Sequence, residues 1–176
     1  MSVNILGVDY SINDTTILGL LDKNLTGIPD SVFELVNLIW LNLSCNKLTQ
    51  IPIEINKLVN LNVLYLGYNE LTEINDVSSL VKLEVLDLYH NKLMEIPDLS
   101  KLVNLKYLDL EHNKMSSIPW KLCEMMKLEY VDLCNNCIVD DDSVKIFKDL
   151  RSKYYKGMDN QKQQPIKMLI LPMVII

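Results

Sequence analysis

The stretch Leu38–Pro52, LIWLNLSCNKLTQIP, decides the fold. Its Leu38, Leu41, Leu43, Asn46, Leu48 and Ile51 fall on the spacing LxxLxLxxNxLxxI, which fits neither the alternation of a strand nor the periodicity of a helix along its whole length. A pattern with a geometry of its own is first sought elsewhere in the chain. It returns at Leu61–Ile74, Leu83–Pro97, Leu105–Pro119 and, more loosely, Leu128–Ile138. The asparagine falls at Asn46, Asn69, Asn91, Asn113 and Asn136, so successive copies are offset by 23, 22, 22 and 23 residues. A fainter copy precedes them from Thr15, with Leu18, Leu20, Leu25, Ile28 and Pro29 in register and Lys23 where the asparagine belongs.

A chain of 176 residues, 49% hydrophobic and 23% charged, is large enough for one domain with a sizeable core. The net charge of −6 is unevenly spread: residues 1–144 carry 10 Lys against 21 Asp and Glu, whereas residues 145–176 carry 7 basic and 2 acidic residues. A body this acidic repels a phosphate backbone, which argues against nucleic acid as its partner. The start, MSVNILGVDYS, lacks the basic and long apolar regions of a signal peptide. The apolar run Ile166–Ile176 is too short to span a bilayer and is interrupted by Lys167 and Pro172. The expectation is a soluble, intracellular, cytoplasmic monomer with no membrane contact. Cys45, Cys123, Cys134 and Cys137 agree, since they do not cluster at the chain ends as the disulfide caps of secreted repeat proteins do.

The repeated LxxLxLxxNxLxxI resembles the leucine-rich repeat family, in its intracellular type with mixed 22- and 23-residue units. The resemblance implies an α/β solenoid: a right-handed horseshoe with a parallel β-sheet on its concave face and short helices or turns on its convex face. The residues agree with it. The LxL pairs (Leu41 and Leu43, Leu64 and Leu66, Leu86 and Leu88, Leu108 and Leu110) alternate as in a strand with one buried face. The linking halves, such as Ile53–Val59 and Trp120–Met126, have helix-like spacing. Each asparagine then bends the chain after its strand, its amide pairing backbone groups that would otherwise be buried alone. Residues 1–14 form an amino-terminal cover, with Val3, Ile5, Leu6 and Val8 offering a short strand, and residues 15–139 hold about six repeats. Residues 140–176 are expected to close the other end. There Asp140, Asp141, Asp142 and Ser143 start a helix carrying Val144, Phe147, Leu150 and Tyr154, and Ile166–Leu171 offer a final strand, the alternative being an exposed or membrane-touching tail.

In this family the residues flanking the LxL leucines line the concave face. One column reads Ile17, Trp40, Val63, Val85, Tyr107, Tyr130, and the next Gly19, Asn42, Tyr65, Asp87, Asp109, Asp132. Two more follow: Leu21, Ser44, Gly67, Tyr89, Glu111, Cys134, then Asp22, Cys45, Tyr68, His90, His112, Asn135. An aromatic zone (Trp40, Tyr65, Tyr68, Tyr89, Tyr107, Tyr130) thus adjoins an acidic ladder (Asp87, Asp109, Glu111, Asp132), with His90 and His112 beside it. Stacked like charges weaken a sheet, and aromatics near charges are the usual make-up of an interface centre. The face is therefore expected to bind a protein with a basic or mixed basic and apolar surface. The plainer alternative is that the acids solubilise the strands and the tyrosines favour β structure.

Catalysis has little support. His90 and His112 with nearby carboxylates resemble zinc ligands, but nothing in the sequence closes a pocket around them, so no metal or cofactor is expected. Cys134-Asn135-Asn136-Cys137 has CxxC spacing without a second pair, and reads as plain thiols. There is no phosphate loop, nucleophile elbow or HExxH. A non-catalytic scaffold, adaptor or regulatory subunit is the leading reading. A structural component of an assembly and a receptor-type ligand-binding domain are the alternatives.

Overall fold

The computed structural model describes residues 1–138. Six three-residue strands, β3 (Ile17–Gly19), β4 (Trp40–Asn42), β5 (Val63–Tyr65), β6 (Val85–Asp87), β7 (Tyr107–Asp109) and β8 (Tyr130–Asp132), form one parallel sheet in sequence order. Their register follows the sequence repeat without slippage: Leu18, Leu41, Leu64, Leu86, Leu108 and Val131 stand side by side. These residues and the second LxL leucines point to one side and are buried there. The rest of each turn closes over them, with Leu35, Leu38, Leu48 and Ile51 in one repeat and their equivalents in the next, so the core runs unbroken from end to end.

The linkers are tighter than their spacing suggests. Three contain one turn of 3₁₀ helix, at Asp30–Glu34, Ile53–Lys57 and Trp120–Glu124, each entered from a proline. A proline supplies fixed φ and no N–H, which suits the first turn. The two shorter linkers, around Val77–Leu80 and Leu99–Leu102, make single i→i+3 turns, as in the bond from the Leu80 amide to the Val77 carbonyl. With only a few residues to bring the chain back to the sheet, no room is left for an α-helix.

The amino-terminal cover is a hairpin where one strand was expected. β1 (Ser2–Ile5) and β2 (Val8–Ser11) pair antiparallel through the two-residue turn Leu6-Gly7, both at positive φ (52° and 85°), a combination typical of the tight hairpin turn that matches strand twist. The Asn4 side chain accepts from the Gly7 amide and donates to Asp9, which holds this turn. Val3 and Ile5 are buried as expected, but Leu6 and Val8 are exposed at and beside the turn. The proposed carboxy-terminal helix from Asp140 and the final strand Ile166–Leu171 lie outside the described residues.

Candidate functional site

The open face of the sheet carries the four columns side by side, because alternation along each short strand sends the leucines into the core and their neighbours to the opposite face. Aromatic side chains there gather into three groups. Trp40 meets Tyr65 edge to face at 5.8 Å. Tyr107 and Tyr130 stack nearly parallel, 4.4 Å apart. Tyr68, Tyr89, His90 and His112 make a continuous cluster, with Tyr68 stacked on His90 at 4.9 Å and Tyr89 edge-on to both Tyr68 and His112. Every aromatic residue singled out from the sequence is thus on one face, and Tyr68 is 50% exposed.

The acidic ladder is not the row of equivalent solvated charges its sequence suggests. Asp109 and Asp132 are buried, and Asp87 is half-buried. Each turns Oδ1 back to accept from the amide two residues on: Tyr89 from Asp87, Glu111 from Asp109, Cys134 from Asp132, all at 2.9 Å. Asn42 does the same for Ser44, so the column has a turn-holding role whether charged or neutral. The Tyr107 hydroxyl then donates to Asp109 Oδ2 at 3.1 Å, and Tyr130 to Asp132 Oδ2 at 3.0 Å. Burial holds the Asp109 carboxyl up at about 6 and raises that of Asp87 as well. The Tyr107 and Tyr130 hydroxyls are pushed up by burial first and then by the neighbouring aspartate. Glu111, at the edge of this row, is half-buried and receives a hydrogen bond from Asn135 Nδ2 at 3.0 Å.

The fourth column has a feature the residue types only hint at. Asp22, Cys45, Tyr68, His90, His112 and Asn135 all adopt left-handed backbone, with φ between 52° and 56°. Asp, Asn and His tolerate this region better than most residues, whereas Tyr68 is an unusual occupant. The turn fixes His90 and His112 with their rings 5.6 Å apart and His112 Nε2 3.0 Å from Asn135 Nδ2. Among the described residues no three His, Cys, Asp or Glu side chains are placed to share a metal ion. Cys45 and Cys137 are free thiols.

Behind the face, Asn46, Asn69, Asn91, Asn113 and Asn136 stitch each repeat to the one before. Asn91 is typical: Oδ1 accepts from the Leu71 amide at 3.0 Å, and Nδ2 donates to the carbonyls of Leu66 and Leu88, also at 3.0 Å. Where Lys23 replaces the first asparagine, Asn46 still reaches back to the amides of Lys23 and Leu25. A second, surface ladder escaped the sequence reading: Asn37, Asn60 and Asn104 donate to the carbonyls of Asn13, Val36 and Val81 in the preceding turn. The signal was the LVNL and LVKL stretch before each strand, whose polar residue was hidden between two apolar positions. Gly67, already placed in the third column, is also needed for packing, since a Cβ there would lie 3.3 Å from both carboxylate oxygens of Asp87.

Two models of leucine-rich repeats match the chain, one over residues 15–71 and the other, in two copies, over residues 81–122 and 103–146. Among solved structures, a leucine-rich repeat protein of Leptospira interrogans is similar at 33% identity and a TM-score of 0.65, over 71% of this chain and 33% of that one. The leucine-rich repeat ectodomain of the plant membrane receptor kinase GASSHO1/SCHENGEN3 from Arabidopsis thaliana, solved in complex with CASPARIAN STRIP INTEGRITY FACTOR 2, is similar at 34% identity and a TM-score of 0.57. That match covers 62% of this chain and 14% of the ectodomain, so this chain spans a third or less of either structure's length. No curated protein matches. Among the described residues no helix is long and apolar enough to cross a membrane.

Proposed function

Because the chain belongs to the leucine-rich repeat family, whose members generally act as protein-interaction modules and not as enzymes, we propose that it is a scaffold, adaptor or regulatory subunit gripping a protein on the open, concave face of its sheet. The observation that carries this reading is compositional and spatial together. The four columns hold six Tyr and Trp residues, two His and the acidic ladder, and none of the 10 lysines of residues 1–138 stands in them. Next to the face Lys106 pairs with Glu84 and Lys92 with Glu70, both at 2.8 Å. A surface rich in aromatic anchors and cleared of cations suits a partner with basic and apolar groups.

Asp87 and Glu111 would attract such a partner from a distance, and Tyr65, Tyr89 and Tyr107 would hold it by burial. The buried Asp109 and Asp132 serve the turns and add less. The plant ectodomain, solved with a bound factor, gives a parallel for the family's use of its repeats. To test this, the partner is captured with the intact chain and its binding kinetics measured. An Asp87→Asn, Glu111→Gln double variant should associate more slowly and with weaker dependence on ionic strength, whereas Tyr89→Ala should mainly hasten dissociation. Wild-type kinetics in both would place the binding surface elsewhere.

A second reading, a structural component of an assembly, draws on the row Val36, Val59, Val81, Val103 and Met126, exposed by 44% or more and recurring once per repeat beside the strands. It predicts that Val81→Lys, and not Tyr89→Ala, abolishes partner capture.

A further inference from the structure

Asp87 differs from the two aspartates that follow it. Its Oδ1 accepts from the Tyr89 amide like theirs, but Val85 stands where Tyr107 and Tyr130 stand one and two repeats on, so no hydroxyl caps Oδ2. Among the described residues no side chain donates a hydrogen bond to this carboxylate, and no cation stands beside it. Across from it on the neighbouring repeat is the buried Gly67, on which the carboxylate packs so closely that a single added carbon would sit 3.3 Å from both oxygens. Tyr65 is the register partner of Asp87, and Tyr89 lies two residues beyond it. Their rings belong to different clusters, Tyr65 with Trp40 and Tyr89 with Tyr68 and His112, so Asp87 stands next to a member of each.

A half-buried carboxylate whose Oδ2 has no side-chain donor, with tyrosines of two aromatic clusters next to it, is matched by one chemistry. A planar guanidinium offers forked N–H donors to the carboxylate and a flat face to the rings, while the compact, strongly hydrated ammonium of lysine pairs less well with both. We propose that Tyr65, Gly67, Asp87 and Tyr89 form the seat for an arginine side chain of the bound partner. This rests on the open face being the partner-binding surface.

The test titrates the intact, isotope-labelled chain with N-acetyl-arginine amide, N-acetyl-lysine amide and the uncharged isostere N-acetyl-citrulline amide, following backbone amide shifts. The arginine probe should move Gly67, Asp87 and Tyr89 saturably and bind about tenfold more tightly than citrulline, the size of one charge-assisted hydrogen bond. Asp87→Asn should remove that advantage while the protein stays folded, since Asn42 already fills the same turn role. Gly67→Ala should weaken the probe by crowding the carboxylate, and Asp109→Asn should leave it unchanged. Equal binding of citrulline, tighter binding of the lysine probe, shifts centred on Glu111 or Glu84, or full arginine binding by Asp87→Asn would overturn the seat. Dissociation of the captured partner from Tyr107→Ala separates the two readings. A silent arginine probe with a partner lost from Tyr107→Ala overturns the seat and leaves the face. A partner indifferent to both Tyr107→Ala and Asp87→Asn overturns both.

Discussion

Asp109 carries a buried carboxylate in a position that Asn42 fills, four strands' worth of repeats being built on the same turn. The hydrogen bond that the turn needs is made by Oδ1, which both residue types possess; the negative charge is extra, and burial makes it costly. That cost shows in the carboxyl, held up at about 6 in the fold against 3.8 for the free side chain. Between about pH 4 and pH 6 the folded protein therefore binds this proton more readily than the unfolded chain, so the group's contribution to stability is fully present below that window and is lost as pH rises through it. Asp87 works in the same sense. Asp98, held at about 2 chiefly by its hydrogen bond from Lys121, and Glu70, lowered by Lys92, work in the opposite sense at more acidic pH. Asp109→Asn should consequently raise the thermal midpoint at pH 7, and the gain should shrink steadily towards pH 4.5. Melting curves of both proteins across that range check it; a gain independent of pH would mean the charge costs nothing where it sits.

At the level of the strand and its turn, the sequence discloses some things well and others hardly at all. The leucines and asparagines were legible because each occupies the same environment in every repeat, so their spacing is the structure written out. The burial of Asp109 and Asp132 was not, because it depends on a tyrosine two residues earlier on the same strand folding its hydroxyl over the carboxylate. Neither was the left-handed column, since Tyr68 and Cys45 are not residues that favour this backbone and take it only because the turn demands it. The hairpin was missed because Leu6 stands where such turns favour Asn, Asp or Gly. The asparagine ladder gives a graded expectation. Asn91→Ala leaves the Leu71 amide and the Leu66 and Leu88 carbonyls buried without that partner, which costs about 1–3 kcal/mol. Asn136 makes the same bonds from a half-buried position, so its alanine variant should lose less. Denaturant midpoints for the pair decide this; equal losses would show that exposure of the turn does not set its worth.

The molecule as a whole is a line of units, each touching chiefly the units beside it, and in such a line damage at one end is felt locally before it is felt globally. The hairpin is a separate two-stranded sheet, so it shields the first repeat with side chains instead of extending the parallel sheet. Val3 and Ile5 are buried in the core cluster shared with Leu18, Ile28, Val32 and Phe33, and Ser31 Oγ donates to the Asn4 carbonyl to fasten the hairpin over the first 3₁₀ turn. Removing residues 1–14 would uncover part of the apolar surface of the first repeat, at roughly 25 cal/mol for each Å² uncovered. The loss should be graded along the solenoid. The Leu20 amide, bonded to the Asn42 carbonyl, should lose most hydrogen-exchange protection, the Leu43 amide, bonded to Tyr65, less, and the Leu110 amide, bonded to Asp132, almost none. Uniform acceleration at all three would mean that the repeats unfold as one cooperative block, and unchanged protection at Leu20 would mean that the hairpin rests on the first repeat without stabilising it.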